Sequence, residues 1–305
     1  MRAAWITTAT NDVDNVVSAW DSWNEPSSKV TFDHMLPTDD AQIVRDVQAL
    51  NPEIVFYIGS VSTIGMPAHD CLRALREIAP SIHICFDAVD EPWHPLLHEY
   101  RKRECFDLQV AIDGVRGTPV DLVTVAPVDP TLYELPDIER TIRCGCSGNI
   151  GLQPYMKNIG NPPAIGTDPR GKILAPLMNA GLIKFRQREI TGSASYAAHV
   201  EFMKSCRMII NTSFSGSQVR HHLKQRVLES AFAGCALLES EGSPIASWWP
   251  EGSFFTYRDG ADAKRLIETL PDDEIAASAD LRRDYAQKYY RPRQVFGAML
   301  SMARI

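Results

Sequence analysis

Short apolar runs rich in β-branched residues alternate with segments of helical period along this sequence, and the alternation starts twice. Parallel strands need a crossover of a dozen residues or more, usually a helix, so such a trace leaves little beyond βαβ units around parallel sheets. In the first half the predicted strands are Arg2 to Thr7, Val30 to Phe32, Ile54 to Gly59, Ile82 to Phe86, Leu108 to Ile112 and Leu122 to Ala126. Predicted helices fill Asp39 to Leu50, Ala68 to Ile78 and Pro92 to Glu104. The segment VDPTLYELPDIER, with prolines 130 and 136, interrupts any regular element and reads as a linker. Strands at Thr141 to Gly145, Leu182 to Phe185, Met208 to Asn211 and Cys235 to Leu238 follow, with helices at about Ile173 to Asn179, Tyr196 to Ser205, Leu223 to Ala233 and Asp262 to Thr269. Helical segments from Asp273 to Met302, broken at Pro292, close the chain.

With 305 residues, two domains are the natural count: 1–136 and 137–305, each a doubly wound, Rossmann-like α/β unit, the two facing a cleft. No run of 18 apolar residues is present to span a bilayer, and the N-terminus lacks the apolar core of a signal peptide, so a cytoplasmic protein without membrane insertion is expected. Seven cysteines spread among apolar stretches fit a reducing compartment, and Cys144 with Cys146 has no second Cys/His pair at zinc spacing, so no metal site is expected. The net charge of −7 argues against a protein devoted to gripping a phosphate backbone. Basic clusters at Arg101 to Arg103, Arg220 to Arg226 and Arg282 to Arg293 read as solvated helix faces, and they keep nucleic acid among the partners this sequence allows.

The informative stretch is Asn211 to Arg258. At 100° per residue, His222, Arg226, Glu229 and Ala233 fall on one helical stripe, opposite Leu223, Val227, Leu228, Ala231 and Phe232. One cation and one carboxylate thereby share the face that is not core, and Gly234 closes the helix. A diphosphate needs cationic side chains and helix amides, and a ribose diol is well held by one carboxylate, so the pattern suits a sugar nucleotide. An exposed Arg–Glu pair at i, i+3 is the plainer reading of the same two residues.

A strand ending in Asn211 and Ser213, a helix carrying Arg226, Leu228, Glu229, Phe232 and Gly234, a strand with Leu237 and Leu238, and the dipeptide Tyr257-Arg258 resemble the C-terminal domain of CgeB-like, group 1 glycosyltransferases over about residues 140–300. The resemblance implies a GT-B fold, Glu229 on the ribose, Arg226 by the phosphates, and Lys224 as a second phosphate residue. Ser213, His222 and Arg258 join this donor set, and Gly148 and Asn149 take the place of the family's Gly-rich donor loop. Many relatives carry an acid eight residues before the ribose Glu. Here that position is His221, so the retaining mechanism built on that acid does not carry over directly, and an inverting or a retaining outcome is not legible.

Glycosyl transfer also needs stabilisation of the departing diphosphate and, for inversion, a base. No Asp-x-Asp is read in a strand-end setting, so a metal-independent reaction is expected, with no cofactor beyond the nucleoside-diphosphate sugar, a uridine-linked one, as donor. Candidate bases cluster in CFDAVDEPWHPLLHEY after a predicted strand: Asp87 or Asp90, then His94, although Asp90 also suits a helix cap before Pro92. The acceptor, whether glycan, protein, small molecule or modified DNA base, and the oligomeric state are not legible. A sugar-nucleotide 2-epimerase and a non-catalytic sugar-nucleotide-binding protein are the alternatives.

Overall fold

The computed structural model describes residues 1–8, 11–24, 26–33, 36–59, 65–89, 93–134, 138–148, 169–187, 193–214 and 220–305. Its elements run β1 (Ala3–Thr8), α1 (Asn11–Asp21), β2 (Ser28–Phe32), α2 (Asp40–Leu50), β3 (Ile54–Ile58), α3 (His69–Ile78), β4 (Ser81–Cys85), α4 (Trp93–Lys102), β5 (Leu108–Ala111) and β6 (Leu122–Val123). The second series is β7 (Ile142–Gly148), α5 (Pro169–Asn179), β8 (Lys184–Gln187), α6 (Ser193–Ser205), β9 (Cys206–Asn211), α7 (Gln225–Phe232), β10 (Ala236–Ser240), β11 (Phe255–Tyr257), α8 (Gly260–Thr269), α9 (Asp272–Tyr289) and α10 (Pro292–Ala303).

β1 through β6 form a parallel sheet of order β2-β1-β3-β4-β5-β6. β1, β3, β4 and β5 are buried at every position, which is why they read as continuous apolar runs rather than as alternation. One core of this sheet gathers Ile6, Val47, Val55, Tyr57, Leu72 and Leu75. Another is aromatic: Trp5 stacks on Phe56 with centroids 4.2 Å apart, and Phe296 of α10 meets Trp20 edge-on at 5.2 Å.

That aromatic docking corrects the expected domain division. The compact units are residues 1–130 with 289–305, and 131–288, so the final helix belongs with the first sheet and not with the 137–305 half. Phe296 is wholly buried among Trp5, Trp20 and Phe56 of the first unit.

The second sheet, also parallel, has the order β11-β10-β9-β7-β8. Its core is aliphatic and sulfur-rich, with Cys144, Cys146, Leu174, Met208, Ile210 and Leu238. Burial pushes the Cys206 thiol up to about 12 and holds Cys144 well above its ordinary value, so these cysteines are inert filling.

Two elements differ from expectation. α1 was not predicted; it places Asp12 and Asp14 on a first turn shortly after β1, where Asp14 pairs with Lys29 at 2.8 Å. β11 forms at the Tyr257-Arg258 dipeptide, where the sequence pattern predicts no strand. The basic cluster at 282–293 is also not one solvated face, because Arg282 is wholly buried, lies 4.1 Å over the Trp249 ring and donates to the Val227 carbonyl. Among the described residues no helix is long and apolar enough to cross a membrane.

Candidate functional site

In the second sheet β8 lies on one side of β7 and β9 on the other, so the chain reverses its winding direction between β7 and β9. The carboxyl ends at such a switch point leave a crevice where parallel sheets bind ligands. The residues that meet there are Ser147 and Gly148 at the end of β7, Asn211 and Thr212 at the end of β9, Arg226 of α7 and Arg170 of α5.

Arg226 is fixed by two acceptors. Its Nε donates to Ser147 Oγ at 3.0 Å and its Nη1 to Asn211 Oδ1 at 3.1 Å. Gly148 explains how the guanidinium fits: its φ is +135°, and a Cβ there would stand 2.7 Å from Arg226 Nη2. The positive φ favours glycine here, and a side chain would also push the guanidinium away from the strand end, on β7 itself rather than in a loop after it. Asn149 lies outside the described residues.

Asn211 is the hinge of a buried polar network. Its Nδ2 donates to Glu239 Oε2 at 2.8 Å and to Ser213 Oγ at 2.9 Å, while its carbonyl accepts from Tyr257 at 2.8 Å. Glu239, opposite Asn211 in the β9–β10 register, is wholly buried and takes the Ser240 amide at 3.0 Å. Burial raises its carboxyl to about 7, against the lowering pull of donors from Ser213, Asn211 and Ser240. Ser240 Oγ lies 3.4 Å from His221 Nδ1, and the His221 ring lies tilted against Phe214 with centroids 4.4 Å apart. Burial lowers the proton affinity of His221.

α7 begins at Gln225, so the wheel drawn from residue 222 does not describe it. Lys224 is its extended N-cap residue, and His222 precedes it, buried, with its amide donating to the Ser213 carbonyl at 2.9 Å. Ser213, itself wholly buried, reaches positive φ, 47°. Every residue of α7 except Arg226 is buried, which corrects the expectation that Arg226 and Glu229 share a face outside the core. The plainer reading of an exposed pair fails with it.

Glu229 is 1% exposed and turns to α6. Tyr196 donates to Glu229 Oε1 at 3.1 Å, and His199 Nε2 stands 3.3 Å from Oε2. Tyr133 lies 3.1 Å from the Tyr196 hydroxyl. Each phenol has one proton, so Tyr133 must donate to Tyr196 if Tyr196 serves an ionised Glu229, and His199 presents its Nε2–H. Arg258 is not brought to this group: its side chain is largely exposed and pairs with Asp262 at 3.4 Å.

In the first unit Asp87 follows β4 at the carboxyl edge, half-buried, and His94 sits on the first turn of α4, its ring 5.1 Å from that of His98. Asp90 lies outside the described residues. Sequence reasoning missed Arg170, Glu239, the α6 partners of Glu229, and Asp113. Only Asp113, in an Ile-Asp-Gly turn just past a predicted strand, carried a usable signal.

Residues 168–301 match a family model described as glycosyl transferase-like. No curated protein matches the chain by sequence. Among solved structures, Anabaena HepE (Alr3699) in complex with UDP-glucose is similar at a TM-score of 0.62 and 12% identity, with 99% of each chain covered. A glycosyltransferase from Rickettsia africae ESF-5 aligns at 0.59 and 7% identity over 99% of this chain and 97% of its own, and apo OtsA at 0.57 and 8% over 100% of both. At such identities the likeness is one of fold, and the sequence match to the family lies where Arg170, Arg226 and Glu229 stand. The chain has the GT-B fold, and its residues 168–301 are similar to the glycosyl transferase-like family.

Proposed function

We propose that this protein transfers a sugar from a nucleoside-diphosphate sugar, uridine-linked, to an acceptor hydroxyl without a metal or separate cofactor. The observation that carries the donor side is the Arg226 guanidinium, fixed by Ser147 and Asn211 at the switch point with Arg170 in the same crevice. Two guanidiniums at strand carboxyl ends offset the charge of a diphosphate and of the leaving group that grows from it. The structure of HepE with UDP-glucose supports a uridine-linked donor on this fold. Lys224, Gly148, Asn149, Ser213 and His222 complete the proposed donor set, and Arg258 stays in it on the resemblance alone.

Glu229 takes the ribose hydroxyls in this reading. Tyr196 and His199 hold its two carboxylate oxygens in a fixed orientation. The proton of the acceptor hydroxyl passes to Asp87, Asp90 or His94 in the first unit. Asp87, at the carboxyl end of β4, has the best-supported place.

Thermal-shift screening against nucleotide sugars tests the donor side, because a ligand that binds only the native state stabilises it by an amount set by its concentration over its Kd. UDP-glucose or another UDP-sugar should give the largest shift, and Glu229→Ala should lose most of it. Equal shifts for wild type and Glu229→Ala would remove Glu229 from the site.

A further inference from the structure

At the amino-terminal edge of the second sheet lies a groove of about 280 Å³, lined by Arg140, Arg207 and Arg283 together with Ile275, Ala276 and Ala279 of α9. Arg140 precedes β7, Arg207 stands at the start of β9 and Gly234 precedes β10, whereas the crevice that holds Arg226 lies at the far ends of the same strands. The seven residues of β7, at about 3.3 Å each, put roughly 20 Å between the two places.

Arg140 is fixed by carbonyls rather than by an acid: its Nη1 donates to the Cys206 carbonyl and its Nη2 to the Ala233 carbonyl at 2.7 Å. Gly234 takes φ +69°, and a Cβ there would stand 2.8 Å from Arg140 Nη2 and 3.4 Å from Arg283 Nη1, so two guanidiniums meet over one backbone position. Arg283 gives its Nη2 to Asp280 at 2.8 Å, an exposed i, i+3 pair that holds it only weakly. Asp272 is divided between Arg207 at 2.5 Å and Arg143 at 2.6 Å. Four guanidiniums thus share two carboxylates, and among the described residues no carboxylate pairs with Arg140.

Like charges held together in this way favour an anion between them. A phosphate monoester carries about two negative charges at neutral pH and offers several oxygens to planar guanidinium donors, which matches the excess. Ile275 and Ala279 are almost wholly buried, and with Ala276 they give the groove an apolar wall along which a small organic body can rest. Its volume is just under the range of about 300 to 1,000 Å³ usual for ligand pockets, which suits a small ester rather than a second sugar nucleotide. We propose that this groove binds a small phosphate monoester, with the phosphoryl group between Arg140 and Arg283 and the apolar body along α9. The site is separate from the donor crevice and does not rest on the function proposed for it.

The test is isothermal titration of the intact protein with phenyl phosphate and with inorganic phosphate. Phenyl phosphate should bind one to one and about tenfold more tightly than inorganic phosphate, because only the ester covers the apolar wall. Arg283→Ala, at an exposed position, should weaken phenyl phosphate binding by about tenfold. Ala276→Glu, also at an exposed position, should abolish it by setting a carboxylate in the groove, and this second variant serves if the first fails to fold. Arg226→Ala should leave the phenyl phosphate affinity as it is in the wild type. No binding of phenyl phosphate, equal affinities for the two probes, or an affinity unchanged in Arg283→Ala overturns the proposal. A loss in Arg226→Ala with none in Arg283→Ala would put the ester in the donor crevice and overturn it as well. No arm uses UDP, so these outcomes are separate from success or failure of the donor assignment.

Discussion

The first sheet ends in carboxylates where the second ends in guanidiniums. Beyond β4 and β5 stand Asp87 and the buried Asp113, with one Asp113 oxygen unsatisfied. At the ends of β7 and β9 stand Arg226 and Arg170, and the buried acid behind them, Glu239, is met by Asn211 and Ser240. Both acids are pushed up to about 7, by burial in each case, yet Glu239 is met by side-chain donors and Asp113 by backbone amides. Two sheets of the same parallel design thus present opposite charge at equivalent edges. The difference lies in what each strand end offers as a hydrogen-bond partner, not in the architecture that carries it.

That division can be broken most sharply at Arg226. Arg226→Ala should weaken UDP binding by about 2 to 5 kcal/mol, since it removes a cation from a largely buried charge pair, and isothermal titration with UDP would read it. Asp87→Asn should leave the same UDP affinity within about a factor of two. Parallel losses in both variants would mean that the edges do not divide the work.

The two raised acids sharpen the comparison through pH. Folded Asp113 binds its proton more tightly than the unfolded chain does, so its stabilisation is present below about 4 and is lost as pH rises through about 7. Asp113→Asn should therefore raise the thermal midpoint at pH 8, by the equivalent of a few kcal/mol, and scarcely change it at pH 4. Glu239→Gln has the same electrostatic sign but sets an amide against the Asn211 Nδ2 donor, so its gain at pH 8 should be smaller or absent. Equal gains would show that hydrogen bonding does not separate the two sites.

A smaller loss of UDP affinity than at Arg226 is expected at Arg170, whose Nη2 also donates to the Phe214 carbonyl at 3.3 Å. Arg170→Ala should cost UDP affinity by about tenfold, and a loss as large as that of Arg226→Ala would make the two arginines one unit.

Sequence alone determined the doubly wound α/β class, because hydrophobic period and turn residues are local and nearly every expected strand formed within a residue or two. It also named Gly148, Arg226 and Glu229 as candidates, since residue type at fixed spacing is a local property. Packing decided the rest. Arg226 and Glu229 part company because α6 covers one side of α7 while the ends of β7 and β9 receive the other. The last helix joins the first unit because a pocket of Trp5, Trp20 and Phe56 admits Phe296, and no spacing along the chain records that pocket. Arg282, read as part of a solvated cluster, is buried because Trp249 gives its guanidinium a face to stack on. Asp113 and Glu239 gain their proton affinity only when distant strands close over them, since desolvation belongs to the folded surroundings of a residue and not to its neighbours in sequence.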